Sequence, residues 1–392
     1  MTDVRHPPIE FMKKSVLLVI LLAFHLSSHA FDWKSRSNDA LRAETINFAE
    51  QFKANTRDVK LAEELDAFVA QRKAETDPCA WISATNAFVD RWLRRYPAEL
   101  SKGGDCSYER RSLLLLRDYP MHVDNYREDA TQQVKDSYEA SILKMHRDAE
   151  TAALKWLSRK SRSSALEVCK VYNMGFFIRS AGQVVGIDLQ WEGSEDEMRT
   201  IASKIDVLFV SHPHDDHYSI GLIKAVLDAG KPVVMSEDIV PDYPGESKVI
   251  VDKDNLEGKT VNGISFYSCK GNQGPKVPNN VMVIKVGDWN IAQNGDNAVP
   301  EAESFLAGHR VDVLITACWN GFKRTMDYVR SNSEGTSCIY IPAHENEWLH
   351  TVDHREAYCE LFTRKDRFGD PEYDYFPSVI MDAAGDAFVF RK

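Results

Sequence analysis

The sequence predicts an α/β layered sandwich that is preceded by an all-α N-terminal region. Its 392 residues correspond to about two domains of roughly 150 residues each. Residues 31–165 carry apolar side chains at the three- and four-residue spacing of helices, whereas residues 166–392 alternate short β-rich runs with turns and helical segments. Hydrophobic residues make up 43% and charged residues 27% of the chain, which excludes a disordered or fibrous protein.

Residues 1–30 have the pattern of a secretory signal peptide. Lys13 and Lys14 precede the apolar run Val16–Leu26, and small residues lead up to Ala30. The apolar run is too short for the roughly 20 residues that a membrane-spanning helix needs. We therefore expect cleavage after Ala30, a periplasmic or secreted protein, and no stable membrane span after cleavage. An uncleaved anchor or a buried helix is the alternative.

The net charge of the chain indicates which kinds of binding partner to expect. The chain has 48 basic and 59 acidic residues, a net charge of −11. Nucleic acids and anionic membranes attract basic surfaces, so this balance argues against both partners and favours a small-molecule substrate. The sequence leaves the oligomeric state open. Export would permit disulfides, and Cys79 and Cys106 are the candidate pair among seven cysteines because both lie beside turn-like stretches.

The N-terminal region is predicted to form several amphipathic helices. Apolar residues recur at helical spacing across Leu41–Phe52, Leu61–Val69 and Trp81–Leu93. A longer helix is predicted from about Ala130 to Ser158. Because strand signals are scarce here, residues 31–165 are interpreted as a helical domain distinct from residues 166–392.

After residue 165, short β-rich segments predict many strands with helices between them. Predicted helices cover Ile220–Ala229 and about Asp353 to Phe362. The predicted strands are Val168–Tyr172, Phe176–Arg179, Val184–Leu189, Val207–Val210, Val233–Met235, Val249–Val251, Ile264–Ser268, Val281–Val286, Ile291–Gln293, Val311–Thr316, Cys338–Ile341, Val379–Met381 and Phe388–Phe390. This alternation favours two sheets packed face to face with helices outside.

One segment carries the strongest functional signal. Three histidines and two aspartates lie within positions 212–217, directly after the predicted strand Val207–Val210. Residues i and i+2 of an extended segment point the same way, so His212 and His214 can bind one ion. A turn after them would let Asp216 and His217 face a second ion. Imidazole and carboxylate groups are ligands of zinc, iron and manganese. A solvated polar loop is the alternative.

This HxHxDH pattern, which reads HPHDDH here, resembles that of the metallo-β-lactamase-fold superfamily. The resemblance covers about residues 166–392 and implies an αββα sandwich with metals at one edge between the sheets. It implies that Asp296, which follows a glycine after the strand Ile291–Gln293, bridges two metals and that His344 is the last histidine ligand. It also matches Asp188 to an early aspartate that supports the site without binding metal.

The chain departs from the family pattern at one metal ligand. The family has another histidine before the bridging aspartate, but no histidine lies between His217 and Asp296. The equivalent stretch spans residues 268–274. Cys269 could supply a replacement thiolate, and Asn272 is a weaker candidate, whereas a plain buried thiol is equally compatible with Cys269. The resemblance then implies a first metal position of His212, His214 and Asp296, and a second of Asp216, His217, Asp296 and His344.

These observations together predict an exported metal-dependent hydrolase. Its cofactor is expected to be one or two Zn²⁺ ions, with iron or manganese as alternatives. A metal-activated water would attack a small substrate of ester, lactone or phosphodiester type, and Asp216 would handle the proton. Tyr218, Trp319 and Asn320 are candidates for the substrate pocket, although packing in the core explains such residues equally well.

Two other functions remain open. The missing histidine could mark a degenerate site in a non-catalytic metal-binding or partner-binding protein. A metal- or redox-sensing protein that uses Cys269 and Cys318 is the third interpretation. Metal content together with activity on ester, lactone and phosphodiester substrates would separate these functions from a hydrolase.

Overall fold

The structure of the protein is a computed structural model. It describes residues 38–96, 108–121, 131–236, 239, 248–250, 254–274, 277–317, 325, 327–329, 338–344 and 383–392. Within these ranges, a group of helices is followed by two sheets that pack face to face. No helix among the described residues is long and apolar enough to cross a membrane.

The first part of the chain consists of five helices. They are α1 (Asn38–Asn55), α2 (Val59–Ala74), α3 (Pro78–Leu93), α4 (Tyr108–Met121) and α5 (Gln132–Ser158). Aspartate or threonine caps begin three of them: the side chains of Asp58, Asp77 and Thr131 accept hydrogen bonds from the first turns of α2, α3 and α5. Such caps satisfy backbone N–H groups that have no partner within the helix.

Four of these helices share a core of their own. The apolar spacing seen in the sequence places one face of each helix inward, as expected for amphipathic helices. Burying a large apolar side chain contributes about 1.5–3 kcal/mol, so this cluster is a substantial source of stability. Its fully or almost fully buried members are Ala49, Phe52, Leu61, Leu65, Phe68, Val69, Phe88, Val89, Trp92, Leu113 and Leu116.

The remaining chain forms two sheets. The first has the strand order β13-β1-β2-β3-β4-β5-β6, and the second has the order β12-β11-β10-β9-β8-β7. The strands of the first sheet are β1 (Leu166–Tyr172), β2 (Gly175–Ser180), β3 (Gln183–Ile187), β4 (Val207–Phe209), β5 (Val233–Met235), β6 (Lys248–Ile250) and β13 (Ala387–Phe390). Those of the second sheet are β7 (Asn255–Val261), β8 (Ile264–Gln273), β9 (Val277–Val286), β10 (Trp289–Gln293), β11 (Val313–Ala317) and β12 (Ile339–Ala343).

The main core lies between the sheets. Phe209 of the first sheet meets Phe266 of the second edge to face, with ring centroids 5.4 Å apart. Helices α5, α6 (Glu195–Lys204) and α7 (Ile220–Asp228) cover the outer face of the first sheet. The outer face of the second sheet packs against α4, the short helix α8 (Pro300–Ser304) and the 3₁₀ turn Phe305–Gly308.

Strand direction determines where the polar loops meet. Strands β3 and β4 are parallel, as are β10, β11 and β12. Two antiparallel steps, from β8 to β9 and from β9 to β10, give β8 the same direction as β10. The segments that follow β3, β4, β8, β10 and β12 therefore leave at the carboxyl ends of strands, which is where ligands bind in α/β sheets.

The predicted fold class is confirmed: the chain has an N-terminal helical region and a sandwich of two sheets with helices on both outer faces. Strand β7 was not predicted, because its alternating polar residues and internal glycine do not give a β-rich pattern. The predicted signal peptide, the predicted helix at about Asp353 to Phe362 and the predicted strand Val379–Met381 lie outside the described residues.

Candidate metal centre

The histidine-rich segment connects β4 to α7. The backbone of Ser211 holds it against the second sheet, since the Ser211 carbonyl accepts hydrogen bonds from the backbone and side-chain amides of Asn280 at 2.9 and 3.3 Å. The chain then turns, with the His217 N–H donating to the His214 carbonyl at 2.9 Å. This turn carries Asp216 and His217 into the space between the two sheets, where both are buried.

The structure brings the predicted metal ligands into two groups. His212, His214 and Asp296 form the first position, while Asp216, His217, Asp296 and His344 form the second position. Within each group, the nitrogen and oxygen atoms that could bind an ion all lie within 4.8 Å of one another. Asp296 belongs to both groups, which places its carboxylate between the two positions.

The spacing of these atoms matches metal coordination. His344 Nε2 lies 3.0 Å from Asp216 Oδ2 and 3.4 Å from Asp296 Oδ2, and His217 Nε2 lies 3.3 Å from an oxygen of each aspartate. At the first position, His212 Nε2 lies 3.6 Å from Asp296 Oδ2. Two ligand atoms about 2.05 Å from a tetrahedral zinc ion are about 3.3 Å apart. The donor atoms therefore stand at the separations that one bound ion would impose.

Several of these potential metal-binding atoms have no hydrogen-bond partner among the described residues. His212 Nε2, His217 Nε2 and Asp296 Oδ1 are buried and have no hydrogen-bond partner among the described residues. An unsatisfied buried polar atom costs about 1–3 kcal/mol, so folded proteins rarely leave one without a partner. A bound cation would satisfy all three atoms, and the residues present therefore fit a metal ion.

Asp188 holds the ligands without joining either group. It follows β3, and its carboxylate accepts hydrogen bonds from the Ser211 backbone N–H and hydroxyl, both at 2.7 Å, and from the side chain of Gln293. His217 Nδ1 lies 2.9 Å from Asp188 Oδ2. A proton on Nδ1 leaves Nε2 as the free lone pair, so Asp188 orients His217 towards the second position.

Asp216 has an equivalent support in Asn173. The Asn173 side-chain amide donates to Asp216 Oδ2 at 2.9 Å and to the Asp216 carbonyl at 3.2 Å. Asn173 lies in the tight turn between β1 and β2, and its own carbonyl accepts a 3.4 Å hydrogen bond from the His344 N–H. One turn of the first sheet therefore fixes two residues of the second position.

The Asp296 loop depends on a glycine and on Asn279. The Asn279 side chain accepts a 3.0 Å hydrogen bond from the Asp296 N–H and donates to the Asn294 carbonyl at 2.9 Å. Gly295 has φ of +52°, and a Cβ there would lie 2.3 Å from Asn279 Oδ1 and 2.7 Å from Ser211 Oγ. The loop therefore requires glycine both for its backbone conformation and for its close approach to two side chains.

Unusual backbone conformations concentrate at this site. Three non-glycine residues here have left-handed φ values: 50° at Asn173, 43° at Asp188 and 69° at His344. Among the described residues, Ala181 and Asn262 are the two others. Such conformations are costly for L-amino acids and persist where the surrounding structure imposes them, often at functional sites.

The site is strongly polarised in the absence of a cation. Burial disfavours the charged form of each histidine and so lowers its pKa. The neighbouring aspartates have the larger effect: they raise the pKa of His344 to about 9 and that of His217 well above its usual value. The same histidines hold the pKa values of Asp216 and Asp296 well below the normal range. Burial together with the neighbouring His217 lowers the pKa of His212 instead. Buried carboxylates in this arrangement attract positive charge.

Cys269 does not replace the missing histidine. Its side chain packs against the cluster on the outer face of the second sheet, with Val281 and Val283. Burial and the neighbouring Asp254 raise the pKa of the thiol to about 11, which disfavours the thiolate that a metal needs. Successive side chains of a strand point to opposite faces, and the inward positions of β8 at this point go to Phe266 and Ser268.

The other predicted residues lie elsewhere or outside the described residues. Tyr218 is half-buried against the helices of the first sheet, and burial together with Asp215 raises the pKa of its hydroxyl. Trp319 and Asn320 lie outside the described residues, as does Cys318. The predicted Cys79–Cys106 pairing is wrong for this structure: Cys79 is a free cysteine, with its thiol 3.6 Å from the Gln133 carbonyl.

Sequence reasoning missed the polar residues that support the ligands. They are Asn173, Ser211, Gln273, Asn279 and Gln293, and each contacts a predicted ligand, Asp188 or the Asp296 loop. One signal was available: a polar side chain interrupts an otherwise apolar run at Asn173, and Gln293 ends a strand directly before the Asp296 loop. Polar residues at buried positions are uncommon unless they are hydrogen-bonded.

The fold and the clustered ligands define a metal-binding α/β sandwich. Residues 167–330 match the family model described as a beta-lactamase superfamily domain. This matched segment contains most of both sheets and every predicted ligand except His344. No curated protein sequence matches the chain significantly.

Three solved structures are similar to this chain: two are described as hydrolases, and the third is described as a metallo-beta-lactamase fold protein. A metallo hydrolase from Ignicoccus hospitalis is 13% identical with a TM-score of 0.43, and a possible metal-dependent hydrolase from Veillonella parvula is 13% identical with a TM-score of 0.42. Each aligns with 58% of this chain and 99% of its own. The metallo-beta-lactamase fold protein YhfI from Bacillus subtilis is 14% identical, with 58% and 100% coverage and a TM-score of 0.41.

Replacing Asp188 with asparagine should weaken metal binding at the second position by about 10–100-fold, the usual effect of losing a partner behind a ligand. The four groups around the Asp188 carboxylate all present donors, and an amide would turn an N–H towards one of them. Chelator competition measures the affinity. Asp206→Asn is the control, because the Asp206 carboxylate accepts a 2.8 Å hydrogen bond from the Val184 backbone N–H and belongs to neither group of metal ligands found among the described residues. Equal affinities in the two variants would contradict the role of Asp188.

Replacing Gly295 with alanine should reduce metal binding at both positions, because the added Cβ displaces Asn279 and Ser211 from the Asp296 loop. The left-handed backbone adds a cost of roughly 1–2 kcal/mol. Elemental analysis and urea unfolding measure the two effects. Gly308→Ala is the matched control, since a Cβ at Gly308 meets nothing within 4 Å. Unchanged metal content in Gly295→Ala would show that the loop tolerates the displacement.

Proposed function

We propose that this protein is an exported metal-dependent hydrolase that acts on an ester, lactone or phosphodiester bond of a small molecule. The observation that carries the proposal is the spacing of the donor atoms at the two positions, with Nε2 to carboxylate distances of 3.0–3.6 Å. The match of residues 167–330 to a beta-lactamase superfamily domain supports hydrolysis as the reaction class.

Zinc is the proposed metal. Each position offers only imidazole nitrogen and carboxylate oxygen among the groups described, and zinc accepts both in tetrahedral sites. Iron and manganese accept the same ligands, so the donor set supports all three metals and the spacing fits zinc. The second position has four protein donors, and the first position has three.

When bound, a divalent metal would lower the pKa of a water molecule towards neutrality and polarise a carbonyl or phosphoryl oxygen. The chain's own residues supply orientation and proton handling. Asp216 lies at the second position, with Asn173 as a hydrogen-bond donor to its Oδ2. A carboxylate held in this way can take a proton from an attacking water and keep its own position, which is the role we propose for Asp216.

Substrate type and location are supported by the sequence. The net charge of −11 favours a small molecule over a nucleic acid. Esters, lactones and phosphodiesters all carry a carbonyl or phosphoryl oxygen that a cation can polarise. They are also substrate types that the family resemblance implies. The pattern of residues 1–30 supports export to the periplasm or the medium.

Replacing His344 with alanine should remove about one metal ion per chain and lower the rate of hydrolysis by more than about 100-fold. Losing a residue that only supports a metal ligand costs up to about 100-fold, and losing a ligand itself should cost more. His344 contributes to the second position through Nε2. The measurements are elemental analysis and turnover on ester, lactone and phosphodiester panels. His309→Ala is the matched control, because His309 packs only against the rings of Tyr267 and Phe305 among the contacts described.

Three outcomes would decide the proposal. Loss of both metal and turnover in His344→Ala, but not in His309→Ala, would support it. Metal binding without turnover on any of the panels would favour a non-catalytic metal-binding protein. A chain that binds no zinc, iron or manganese after supplementation would overturn the proposal.

Export makes a separate prediction. The protein recovered from the periplasm or the medium should begin at Phe31, because the small residue Ala30 precedes the expected cleavage site. N-terminal sequencing of the exported protein measures this directly. A replacement of Ala30 by a bulky residue should slow processing. Recovery of only the full-length chain from the cytoplasm would contradict export.

A further inference from the structure

A glutamine lies where the missing family histidine is expected. Gln273 is the last residue of β8 and lies within the stretch of residues 268–274 that corresponds to that histidine. Its Nε2 donates a 2.8 Å hydrogen bond to Asp296 Oδ2. Its Oε1 is buried and has no hydrogen-bond partner among the described residues. Gln273 therefore touches the carboxylate shared by both metal positions and carries an unsatisfied acceptor.

The backbone next to Gln273 is fixed against the Asp296 loop. The Asn272 N–H donates to the Asn297 side-chain oxygen at 3.2 Å, and the Asn272 carbonyl accepts a 2.8 Å hydrogen bond from the Ala298 N–H. A Cβ at Gly271 would lie 2.0 Å from the Asn297 oxygen, which shows how closely the segments approach. These contacts hold the backbone next to Gln273 close to the loop that carries Asp296.

The chemistry of a side-chain amide suits this place. Its oxygen and nitrogen ends have nearly the same shape, and a half-turn about the last bond exchanges them. In the described orientation, the N–H donates to Asp296. In the other orientation, Oε1 would face a carboxylate oxygen, and two acceptors at this distance repel unless a cation lies beside them. A metal ion at the first position would supply that cation, because carbonyl oxygens are ligands of divalent metals.

We propose that Gln273 takes the place of the missing histidine and completes the first position, with its side-chain oxygen as the fourth protein ligand beside His212, His214 and Asp296. This inference rests on the proposed function, because it requires a metal at the site. A neutral amide oxygen is a weaker ligand for zinc than an imidazole. The first position should therefore bind its metal more weakly than the second position, which has four charged or imidazole donors.

The test compares two substitutions at Gln273 with a control in the same strand. Gln273→Ala removes the ligand, and Gln273→His restores the ligand of the family pattern. Cys269→Ala is the control, because its thiol faces the outer cluster of the second sheet. The measurements are zinc per full chain, the two dissociation constants from chelator competition, and the absorption spectrum after substitution with cobalt(II), which reports the number and type of ligands.

The expected results differ for each variant. The parent chain and Cys269→Ala should bind about two zinc ions, one of them more weakly. Gln273→Ala should weaken the weaker site by at least about tenfold and leave the tighter site intact, which also shows that the variant is folded. Gln273→His should strengthen the weaker site by about tenfold or more and change the cobalt spectrum towards additional nitrogen ligation.

Two outcomes would overturn the inference alone. In the first, the parent binds two ions and Gln273→Ala binds both with unchanged constants. In the second, Gln273→His leaves the weaker constant and the cobalt spectrum as they are in the parent. A parent chain that binds no metal under any loading condition would instead overturn the proposed function, and this inference with it, so the two failures are distinguishable.

Discussion

The carboxylate of Asp296 is the group on which the rest of the site depends. It belongs to both ligand groups, it is fully buried, and it lies within 3.6 Å of nitrogen atoms from three histidines. Its position is set by the left-handed Gly295, by Asn279 and by Gln273. Because both metal positions share this carboxylate, a change in the Asp296 loop should alter metal binding at both of them.

The fold explains why residues so distant in sequence meet at that carboxylate. The first sheet delivers Asp188 and the histidine-rich segment from the ends of β3 and β4, and the second sheet delivers the Asp296 loop and His344 from the ends of β10 and β12. A rigid core between the sheets fixes the gap across which the groups face each other. Precise metal spacing is therefore a property of sheet packing, which tolerates little displacement.

The sequence predicted the layers and the residues that meet at the site because both leave local signals. Alternating strands and a dense histidine motif at a strand end can be recognised without knowing the pairing. Cys269 failed as a ligand because one step along a strand reverses the face, and the sequence did not fix that register. Asn173 and Gln273 were missed because their partners are Asp216 and Asp296, far along the chain. Only the three-dimensional structure shows which isolated amides contact a ligand.

The need to compensate two buried carboxylates also indicates that this cluster is a metal centre. Asp216 and Asp296 are buried beside histidines whose pKa values they raise, so without a cation the site keeps its charges compensated by protons on His217 and His344. The lone pair of Nε2 can hold a proton or a metal ion, but not both. A metal ion would compensate the same carboxylates and would also satisfy His212 Nε2, which lacks a hydrogen-bond partner among the described residues and whose pKa is lowered. The metal-bound state therefore accounts for more of the buried polar atoms.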